Sequence, residues 1–394
     1  MLTILHTESS KGWGGQEIRI IQESLGMIKR GHKVYIAAPE DSMIFSKAKS
    51  NDIVVFPMSF NKKNPLNVMR LATLIKERRI DIVNTHSSSD SWVATIAAKL
   101  SGLKPLILRT RHLSTPIGRN PLSRLIYNIL PDAVITTGEE IGQRMIEHNK
   151  FNGEKISSIP TGVDMERFNP AKVKPVFQLK NHTVNKVIPP YPPLVKGGWG
   201  DLSEGEEGLK KYFSIGMVSV LRSWKGHRYF IEAVPAISNA IPDSVFYIVG
   251  DGPQFQNIKD MVKEFSLESK VFMLGHRDDI PEILASLDVI VHPSYANEGV
   301  PQSILQAMAM ERPVVASDAG AIKEIVIDKE TGFLIEPKNP GQLSEKVIEL
   351  YRNPELRVKF GKAGRRLVEK NYSMEAMLDK VESLYERLLN RNRI

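Results

Sequence analysis

The sequence contains no cysteine, which excludes a disulfide framework, a thiolate metal site and a cysteine nucleophile. It also lacks any apolar run of the roughly 18 residues that a membrane-spanning helix needs. Met1–His6 leads directly into a strand-like stretch without a basic region or a cleavage site, so we expect no signal peptide. A hydrophobic content of 42% with 25% charged residues is typical of a globular protein.

Concentrated blocks of positive charge are missing as well. The formal net charge is +8 at pH 7, a balance that suits nucleic acid, an anionic membrane surface or phosphorylated substrates. The charges are spread along the chain, and no basic block is interleaved with aromatic residues. Nucleic acid is therefore the weakest of the three interpretations, and we expect no nucleic-acid partner.

The sequence does contain a regular alternation of short β-branched runs with longer segments of helical periodicity. Continuously apolar strands that alternate with helices indicate a parallel sheet covered on both faces. Predicted helices of the first half include Gln16–Arg30, Pro65–Arg78 and Ser91–Ser101. The predicted strands of this half are Leu2–His6, Lys33–Ala38, Ile53–Pro57, Asp81–Thr85, Leu106–Arg109, Ala133–Thr137 and Ile156–Ile159.

The second half repeats this scheme. Its predicted strands are Ser214–Val220, Val245–Val249, Val271–Leu274, Val289–His292, Val314–Ser317 and Phe333–Ile335. Its predicted helices are Tyr229–Ala240, Gln254–Phe265, Ile280–Ser286 and Pro301–Met310. A chain of 394 residues accommodates two such arrays. The predicted fold is thus α/β, with two Rossmann-like doubly wound domains facing each other across a cleft and ligands outside the carboxyl ends of the strands.

Residues 171–210 interrupt the pattern with proline-rich, glycine-rich and acidic stretches. We expect a mobile insertion and linker there, and a hydrophobic peptide with a binding role is the alternative. The predicted domains are then 1–170 and 211–370. Within 371–394, Ser373–Asn390 is a strongly helical segment with one apolar stripe, and we expect this helix to dock on the first domain.

Glycines mark the first turn that could bind a ligand. Gly14 and Gly15 follow the first predicted strand and precede a helix, where backbone N–H groups can approach a phosphate. The cluster is not the full Gly-x-Gly-x-x-Gly fingerprint of dinucleotide-binding proteins, and a plain turn explains it as well.

Basic residues follow strands of the second half. Arg222 and Lys225 can clamp a diphosphate, Arg222 through paired hydrogen bonds and Lys225 as a point charge; two solvated surface charges are the alternative. Gly250 lies in another strand-to-helix turn and permits close approach of a ligand. Arg277 follows a third strand, where it lines a base pocket or belongs to a surface turn.

The densest set of candidate residues lies between His292 and Met310. A predicted strand ends at His292, a loop carries Glu298, and Pro301 occupies the first turn of a helix that includes Gln306. A carboxylate just ahead of a helix N-terminus stays ionised and can accept hydrogen bonds from sugar hydroxyls. The alternative is that Glu298 simply caps the helix.

This segment resembles the carboxylate signature of retaining glycosyltransferases of family 4, which share the GT-B fold. That signature is Glu, seven residues, Glu, with Gly-x-Pro after the first glutamate and Ala-x-Ala after the second. The matching residues here are Glu298, Gly299, Pro301, Ala307 and Ala309, and the resemblance extends to Arg312–Ser317, Gly320, Glu330–Phe333, Gly14, Gly15, His112 and Pro160–Asp164.

Two positions depart from the family pattern. Gln306 stands where the second glutamate accepts hydrogen bonds from the nucleotide ribose, and glutamine keeps one acceptor while adding a donor. The usual arginine five residues before the lysine is Val220 here, and Arg222 would reach the same phosphates from a different angle.

The resemblance implies a role for each matched residue. Glu298 would hold hydroxyls of the donor sugar, and His112 would contact the donor sugar or the acceptor. Gln306 would bind the ribose. Arg222 and Lys225 would neutralise the diphosphate leaving group, and the implied nucleotide-sugar site also includes Gly14, Gly15, Gly250, Arg277, Gly299 and Val300. A lone histidine on a loop is more often structural, which is the alternative for His112.

The implied activity is transfer of a sugar from a nucleoside diphosphate sugar to a hydroxyl of a saccharide or lipid-linked acceptor, with retention and without a metal or other cofactor. Cell-surface polysaccharide or lipopolysaccharide synthesis is the expected setting, in the cytoplasm and in peripheral contact with an anionic membrane face. A sugar-nucleotide epimerase of the same architecture and a catalytically inactive nucleotide-sugar-binding protein are the alternatives.

Overall fold

The computed structural model describes residues 1–61, 64–112, 115–176, 212–296 and 298–391. The chain divides into two compact units, Met1–Gly162 with Asn371–Ile394, and Val163–Lys370. Residues 177–210 of the predicted mobile insertion lie outside the described residues.

The boundary between the units precedes the predicted one. Residues 163–170, which the sequence pattern places in the first domain, belong to the second unit. Arg167 donates from Nη2 to the carbonyl of Asp278 at 2.9 Å, and Arg365 donates from Nη1 to the carbonyl of Phe168 at 3.2 Å. These polar contacts hold the segment on the second unit although no strand or helix of its own marks it.

The first unit is built on a parallel sheet. Its strands are β1 (Thr3–Thr7), β2 (Lys33–Ala38), β3 (Val54–Pro57), β4 (Ile82–Thr85), β5 (Leu106–Arg111), β6 (Ala133–Thr136) and β7 (Ile156–Ser158). Within the described residues this is a 7-stranded sheet of order β3-β2-β1-β4-β5-β6-β7. The order reverses between β1 and β4, which pair in parallel, and ligands of open parallel sheets bind at such a switch point.

Helices connect these strands. They are α1 (Gly15–Lys29), α2 (Met43–Ser50), α3 (Pro65–Glu77), α4 (Ser88–Leu100), α5 (Pro121–Arg124) and α6 (Glu139–Glu147), with a π-turn at Leu125–Ile129 and a 3₁₀ turn at Gly153–Lys155. Ser87 and Asp90 form a reciprocal capping box at the start of α4, which fixes where the chain turns after β4.

The second unit repeats the architecture. Its strands are β8 (Phe213–Val218), β9 (Ser244–Val249), β10 (Val271–Gly275), β11 (Val289–His292), β12 (Val314–Ser317) and β13 (Gly332–Ile335). Its helices are α7 (His227–Ala240), α8 (Phe255–Glu264), α9 (Ile280–Ala285), α10 (Gln302–Ala309), α11 (Pro340–Arg352) and α12 (Pro354–Asn371), with 3₁₀ turns at Ser223–Lys225 and Gly320–Glu324. In the described chain this 6-stranded sheet has the order β10-β9-β8-β11-β12-β13, so β8 and β11 form its switch point.

The α/β fold class is confirmed, and every predicted strand overlaps an observed one. Helices α11 and α12 are not among the helices predicted from the sequence. α12 buries only Phe360, Gly361, Gly364 and Val368, which leaves too sparse an apolar stripe for the sequence pattern to reveal. None of the helices in the described ranges combines the length and apolarity that a membrane crossing requires.

The last helix, α13 (Met374–Arg391), belongs to the first unit. Its buried stripe consists of Met377, Leu378, Val381, Leu384, Tyr385 and Leu388. These side chains share a core cluster with Ile4, Met27 and Leu106. At Gly26 of α1 an added Cβ would lie 2.4 Å from a methyl carbon of Leu378, so the two helices touch where α1 carries no side chain.

Charge contacts border this apolar contact. Arg30, just after α1, faces the carboxylates of Glu375, Asp379 and Glu382, with its Nη1 2.8 Å from Asp379. His32 lies 2.8 Å from Glu382. Because the carboxylates of Glu375 and Asp379 are exposed, these pairs contribute less to stability than the buried stripe does.

We predict that Leu378→Ala lowers the free energy of unfolding by about 3 kcal/mol, because it leaves a cavity between α1 and α13. Glu386→Ala, at an exposed position of the same helix, is the matched control and should stay within about 0.5 kcal/mol of the parent. Calorimetric unfolding of the two variants checks this. Equal losses in both would show that α13 is not held by its buried stripe.

Candidate active site

In the second unit, the loops that follow β8 and β11 are locked together. Tyr295 donates its backbone N–H to the carbonyl of Trp224 at 2.9 Å, and the Ser294 hydroxyl oxygen lies 2.8 Å from the same carbonyl oxygen. Gly226 has a φ of +82°, and an added Cβ there would lie 1.9 Å from the carbonyl oxygen of Pro293. Only glycine allows this close approach of the two backbones.

The contact between these loops brings Lys225 and Glu298 together. Lys225 Nζ lies 2.8 Å from Glu298 Oε1, with side chains only 18% and 12% exposed. The Ser294 hydroxyl donates to the same oxygen at 2.7 Å, and His292 Nε2 lies 3.9 Å away. The backbone of Glu298 is held as well, since Ala321 donates its N–H to the Glu298 carbonyl at 2.9 Å.

Glu298 remains ionised in this environment. Burial alone raises the pKa of its carboxyl, but the charge of Lys225 and the hydrogen bonds from Lys225 and Ser294 outweigh burial and leave the pKa below its usual value. The result is a buried carboxylate held in its charged form by a cationic partner.

Two neighbouring histidines are neutral. Burial lowers the pKa of His292 to about 4, assisted by the charge of Lys225 and opposed by Glu298. Burial also lowers the pKa of His227 to about 3, and the charge of Lys225 adds to this effect. His227 Nε2 lies 3.1 Å from the Ser219 hydroxyl. The site therefore pairs a positive with a negative side chain beside neutral polar groups.

Glu298 does not cap α10. The N-cap of α10 is Pro301, the helix begins at Gln302, and the N-cap makes no side-chain hydrogen bond. The capping interpretation of Glu298 is therefore wrong, because its carboxylate pairs with Lys225 instead. Gly299 and the buried Val300 connect Glu298 to the helix, and Gln306 is half-buried within α10.

Other predicted residues of this unit make contacts of their own. Arg222 is exposed, with its guanidinium 5.3 Å from the centroid of the Trp224 ring. Arg277 pairs with Asp279, its Nε donating to Oδ1 at 2.7 Å. Gly250 has a φ of +135°, and an added Cβ would lie 2.0 Å from the carbonyl oxygen of Ser219. Backbone packing therefore accounts for a glycine at position 250 without a bound ligand.

In the first unit, the predicted glycine turn leads into α1. Gly14 is the N-cap of α1, without a side-chain cap, and Gly15 is its first residue. An added Cβ at Gly15 would meet nothing within 4 Å, so packing does not require glycine there.

A buried carboxylate beside this turn is not identified from the sequence. Glu8, directly after β1, accepts hydrogen bonds from the Ser10 N–H at 2.7 Å and from the side chains of Ser87 and Gln16. Burial raises the pKa of Glu8 despite these three donors. Asp90 is also buried, and burial together with the charge of Glu8 raises its pKa to about 7. Glu8 thereby links the ends of β1 and β4 to the start of α1.

His112 is not a lone loop histidine. Its Nε2 lies 2.9 Å from His86 Nδ1, and His86 Nε2 lies 3.0 Å from His6 Nδ1. His6 is the fourth residue of β1, His86 follows β4 and His112 follows β5. Polar residues at the carboxyl ends of adjacent parallel strands are the available signal for His6 and His86, but the sequence alone does not show that β1, β4 and β5 are neighbours.

Among the residues that the structure describes, no group of three or more His, Asp or Glu side chains is arranged to hold a metal ion. Each unit thus has its own cluster of candidate residues. The second unit contributes the Lys225–Glu298 pair with its neutral histidines, and the first unit contributes the row of histidines that ends at His112.

Comparison with known proteins identifies the family of the chain. The family described as Glycosyl transferases group 1 matches residues 203–367, and Glycosyltransferase Family 4 matches residues 13–167. The chain is similar to UDP-Gal:alpha-D-GlcNAc-diphosphoundecaprenol alpha-1,3-galactosyltransferase of Escherichia coli, at 31% identity over 335 residues, covering 82% of this chain and 79% of the relative.

Solved structures show the same fold. A glycosyltransferase from Rickettsia africae superimposes with a TM-score of 0.82 at 24% identity, covering 98% of both chains. The Anabaena protein HepE, solved in complex with UDP and glucose, gives a TM-score of 0.80 at 19% identity, covering 98% of this chain and 100% of that one. The chain therefore belongs to family 4 of the glycosyltransferases, the group 1 enzymes with the GT-B fold.

Proposed function

We propose that this glycosyltransferase moves a hexose from a nucleoside diphosphate sugar to a hydroxyl of a lipid-linked saccharide, with retention of configuration. The setting we propose is the synthesis of cell-surface polysaccharide or lipopolysaccharide. The observation that carries the proposal is the buried Lys225–Glu298 pair at the carboxyl end of the switch-point strands β8 and β11. A sugar diphosphate offers complementary groups, namely phosphate oxygens for Lys225 and hydroxyl donors for Glu298.

The negative charge of Glu298 strengthens the hydrogen bonds that it would accept from a sugar. An ionised carboxylate accepts hydrogen bonds from hydroxyls more strongly than a neutral acid does, and Lys225 and Ser294 keep Glu298 ionised. Binding of a donor would exchange the Lys225–Glu298 contact for a Lys225–phosphate contact and a Glu298–hydroxyl contact. Both side chains are little exposed, so the new contacts form where water screens them weakly.

Departure of the nucleoside diphosphate leaves negative charge on its oxygen and an oxocarbenium-like sugar. We assign Lys225 and Arg222 to the phosphate charge, assisted by backbone N–H groups near Gly15 and Gly299, without a metal ion. A preorganised donor of this kind contributes a few kcal/mol. Gln306 is assigned to the nucleotide ribose, and His112 to a hydroxyl of the donor sugar or the acceptor.

In the proposed mechanism, the acceptor attacks the donor sugar on the same face from which the leaving group departs. The configuration at the anomeric carbon is therefore retained. Glu298 already engages Lys225 and Ser294, and we assign it to holding hydroxyls rather than to forming a bond with the sugar. In the step that we propose, the acceptor oxygen bonds to the anomeric carbon while the sugar–phosphate bond breaks. The acceptor proton passes to the departing phosphate oxygen, so no protein nucleophile is required.

The name of the Escherichia coli relative supports the choice of substrates. That protein uses UDP-galactose and acts on N-acetylglucosamine linked through a diphosphate to undecaprenol. We therefore propose a UDP-hexose as the first donor to test and a diphospholipid-linked sugar as the acceptor. Incubation with UDP, GDP and ADP sugars in turn, with and without this acceptor, tests the function directly. Epimerised donor without any transferred sugar would overturn it.

Glu298→Gln should lower kcat/KM about a hundredfold or more, because it removes the charge that holds the sugar hydroxyls while keeping the size of the side chain. Glu345→Gln, which alters an exposed carboxylate beside Lys346 in the same unit, is the control and should leave turnover unchanged. Steady-state transfer assays on folded protein, checked by circular dichroism, give the comparison. Full activity in Glu298→Gln would refute the role of Glu298.

Gln306→Glu should tighten binding of the nucleotide roughly fivefold, since a hydrogen bond from the ribose to a charged acceptor is stronger than one to an amide. We expect kcat to change by less than about twofold, because the ribose is remote from the bond that breaks. Titration calorimetry with the nucleoside diphosphate, and with Gln342→Glu as a charge control on α11, measures the effect. Altered kcat at unchanged affinity would contradict the assignment to ribose.

Peripheral contact with an anionic membrane accompanies the proposed lipid-linked acceptor. A net charge of +8 attracts such a surface by about 1 kcal/mol for each well-placed Lys or Arg. We predict co-sedimentation with vesicles that contain anionic phospholipid, weakening as salt is added, and little with neutral phosphatidylcholine vesicles. Equal binding to both kinds of vesicle would contradict the predicted electrostatic contact.

A further inference from the structure

The row of histidines in the first unit ends at a buried charge. His112, His86 and His6 are linked by ring contacts of 2.9 and 3.0 Å, and successive ring centroids lie 5.2 Å apart. Beyond His6, its Nε2 faces Glu23 Oε1 at 4.0 Å. We call these three rings the histidine row.

The three rings are neutral at pH 7. Burial lowers the pKa of His6, and lowers those of His86 and His112 well below the usual value, with Arg19 adding to the effect at each ring. A neutral imidazole carries one N–H and one lone pair. Each of the two contacts in the histidine row therefore joins an N–H of one ring to a lone pair of the next.

This requirement leaves two arrangements of protons. Either all three rings carry the proton on Nε2, and the Nδ1 of His112 has the lone pair, or all three carry it on Nδ1. In the first arrangement His6 directs an N–H towards Glu23, and in the second it directs a lone pair there. The state of one ring thus determines the state of all three.

Glu23 favours the first arrangement. Its Oε1 and the Nε2 of His6 are both buried without a hydrogen-bond partner among the described residues. At 4.0 Å they are too far apart for a direct hydrogen bond, but a carboxylate at that distance in a protein interior attracts an N–H and repels a lone pair. The other oxygen of Glu23 faces Arg19 Nε at 3.3 Å, so the charge of Arg19 is partly engaged.

Other ionisable groups surround the histidine row, and Glu23 acts on His6 more strongly than Arg19 does. Asp90 accepts a hydrogen bond from the backbone N–H of His86 at 2.9 Å, and so it does not compete for a ring proton. The charged and titratable groups packed around the row are Arg19 and Glu23 of α1, Asp90 of α4, Arg111 of β5 and Tyr385 of α13.

We propose that Glu23 sets the direction of the histidine row, so that His112 presents the lone pair of Nδ1 to a sugar hydroxyl. His6 and His86 are then positioning residues, which hold the ring of His112 and fix its tautomer. The identity of the hydroxyl, on donor or acceptor, rests on the proposed function, whereas the order of the protons does not. His112 would accept a hydrogen bond from the hydroxyl and would not donate one.

Nuclear magnetic resonance of histidines labelled with ¹⁵N tests the proton order in the unaltered full-length protein. The chain has nine histidines, and single substitutions of His6, His86 and His112 assign the three resonance sets. We expect all three rings to be neutral with the proton on Nε2 at pH 7. A proton on Nδ1 of His112, or an imidazolium at any of the three positions, would overturn the proposal.

Substitution of Glu23 tests whether its charge causes this proton order. Glu23→Gln should shift His6, and through it His112, towards the Nδ1–H tautomer or an even mixture. Since this leaves Arg19 buried without its partner, the double variant Arg19→Met/Glu23→Gln provides a second route to the same spectrum. Glu382→Gln is the control, because it removes a carboxylate from His32 and should leave the histidine row unchanged. An unaltered His112 in both Glu23 variants would show that Glu23 does not set the direction.

Transfer assays separate this inference from the proposed function. We expect the double variant to lower kcat/KM about tenfold, the loss of one well-placed hydrogen bond, while Glu298→Gln removes transfer and leaves the spectra of the histidine row as they are. A chain that transfers no sugar but shows Nε2–H at all three rings would refute the function alone. A chain that transfers normally with the opposite tautomer would refute the inference alone.

Discussion

Glu298 is a carboxylate that stays charged inside the protein, and much of the second unit is arranged to keep it so. Burial opposes the charge, and Lys225 and Ser294 outweigh burial and keep Glu298 ionised. Lys225 reaches Glu298 because the loop after β8 rests on the loop after β11, a contact that depends on Gly226 lying against Pro293. A bulkier residue at position 226 would separate the loops, and Glu298 would then lose the cation that keeps it ionised.

In the first unit, the candidate residues that end at His112 are uncharged. Its three histidines are buried deeply enough to be neutral, and neutral rings in contact must share one direction of donation. Such a row can therefore have either of two directions of N–H donation, and the direction is the same for all three rings. A charged group at the inner end, Glu23, can set that direction for His112 because each ring fixes the tautomer of the next.

The sequence predicts the strands well because each is a short apolar run buried on both faces. It also singles out Lys225 and Glu298 as candidates, since both lie close to a strand end and match the family pattern, but it does not predict that the two side chains pair. It does not predict Glu8, His6 or His86, because His6 and His86 are 80 residues apart in the chain and meet only through the pairing of β1 with β4. Residues 163–170 belong to the second unit, and the hydrophobic periodicity of the sequence likewise does not reveal the polar contacts that they make there.

Gln306 fits the charge balance of the second unit. Lys225 is the cation that neutralises Glu298 there, and the same lysine is assigned to the diphosphate. A second carboxylate on α10 would add a negative charge to the unit in which Lys225 already pairs with Glu298. Glutamine keeps an acceptor without that charge. In the proposed function, the departure from the family signature would therefore weaken ribose recognition, while the group assigned to the donor sugar, Glu298, keeps its ionisation and its partner.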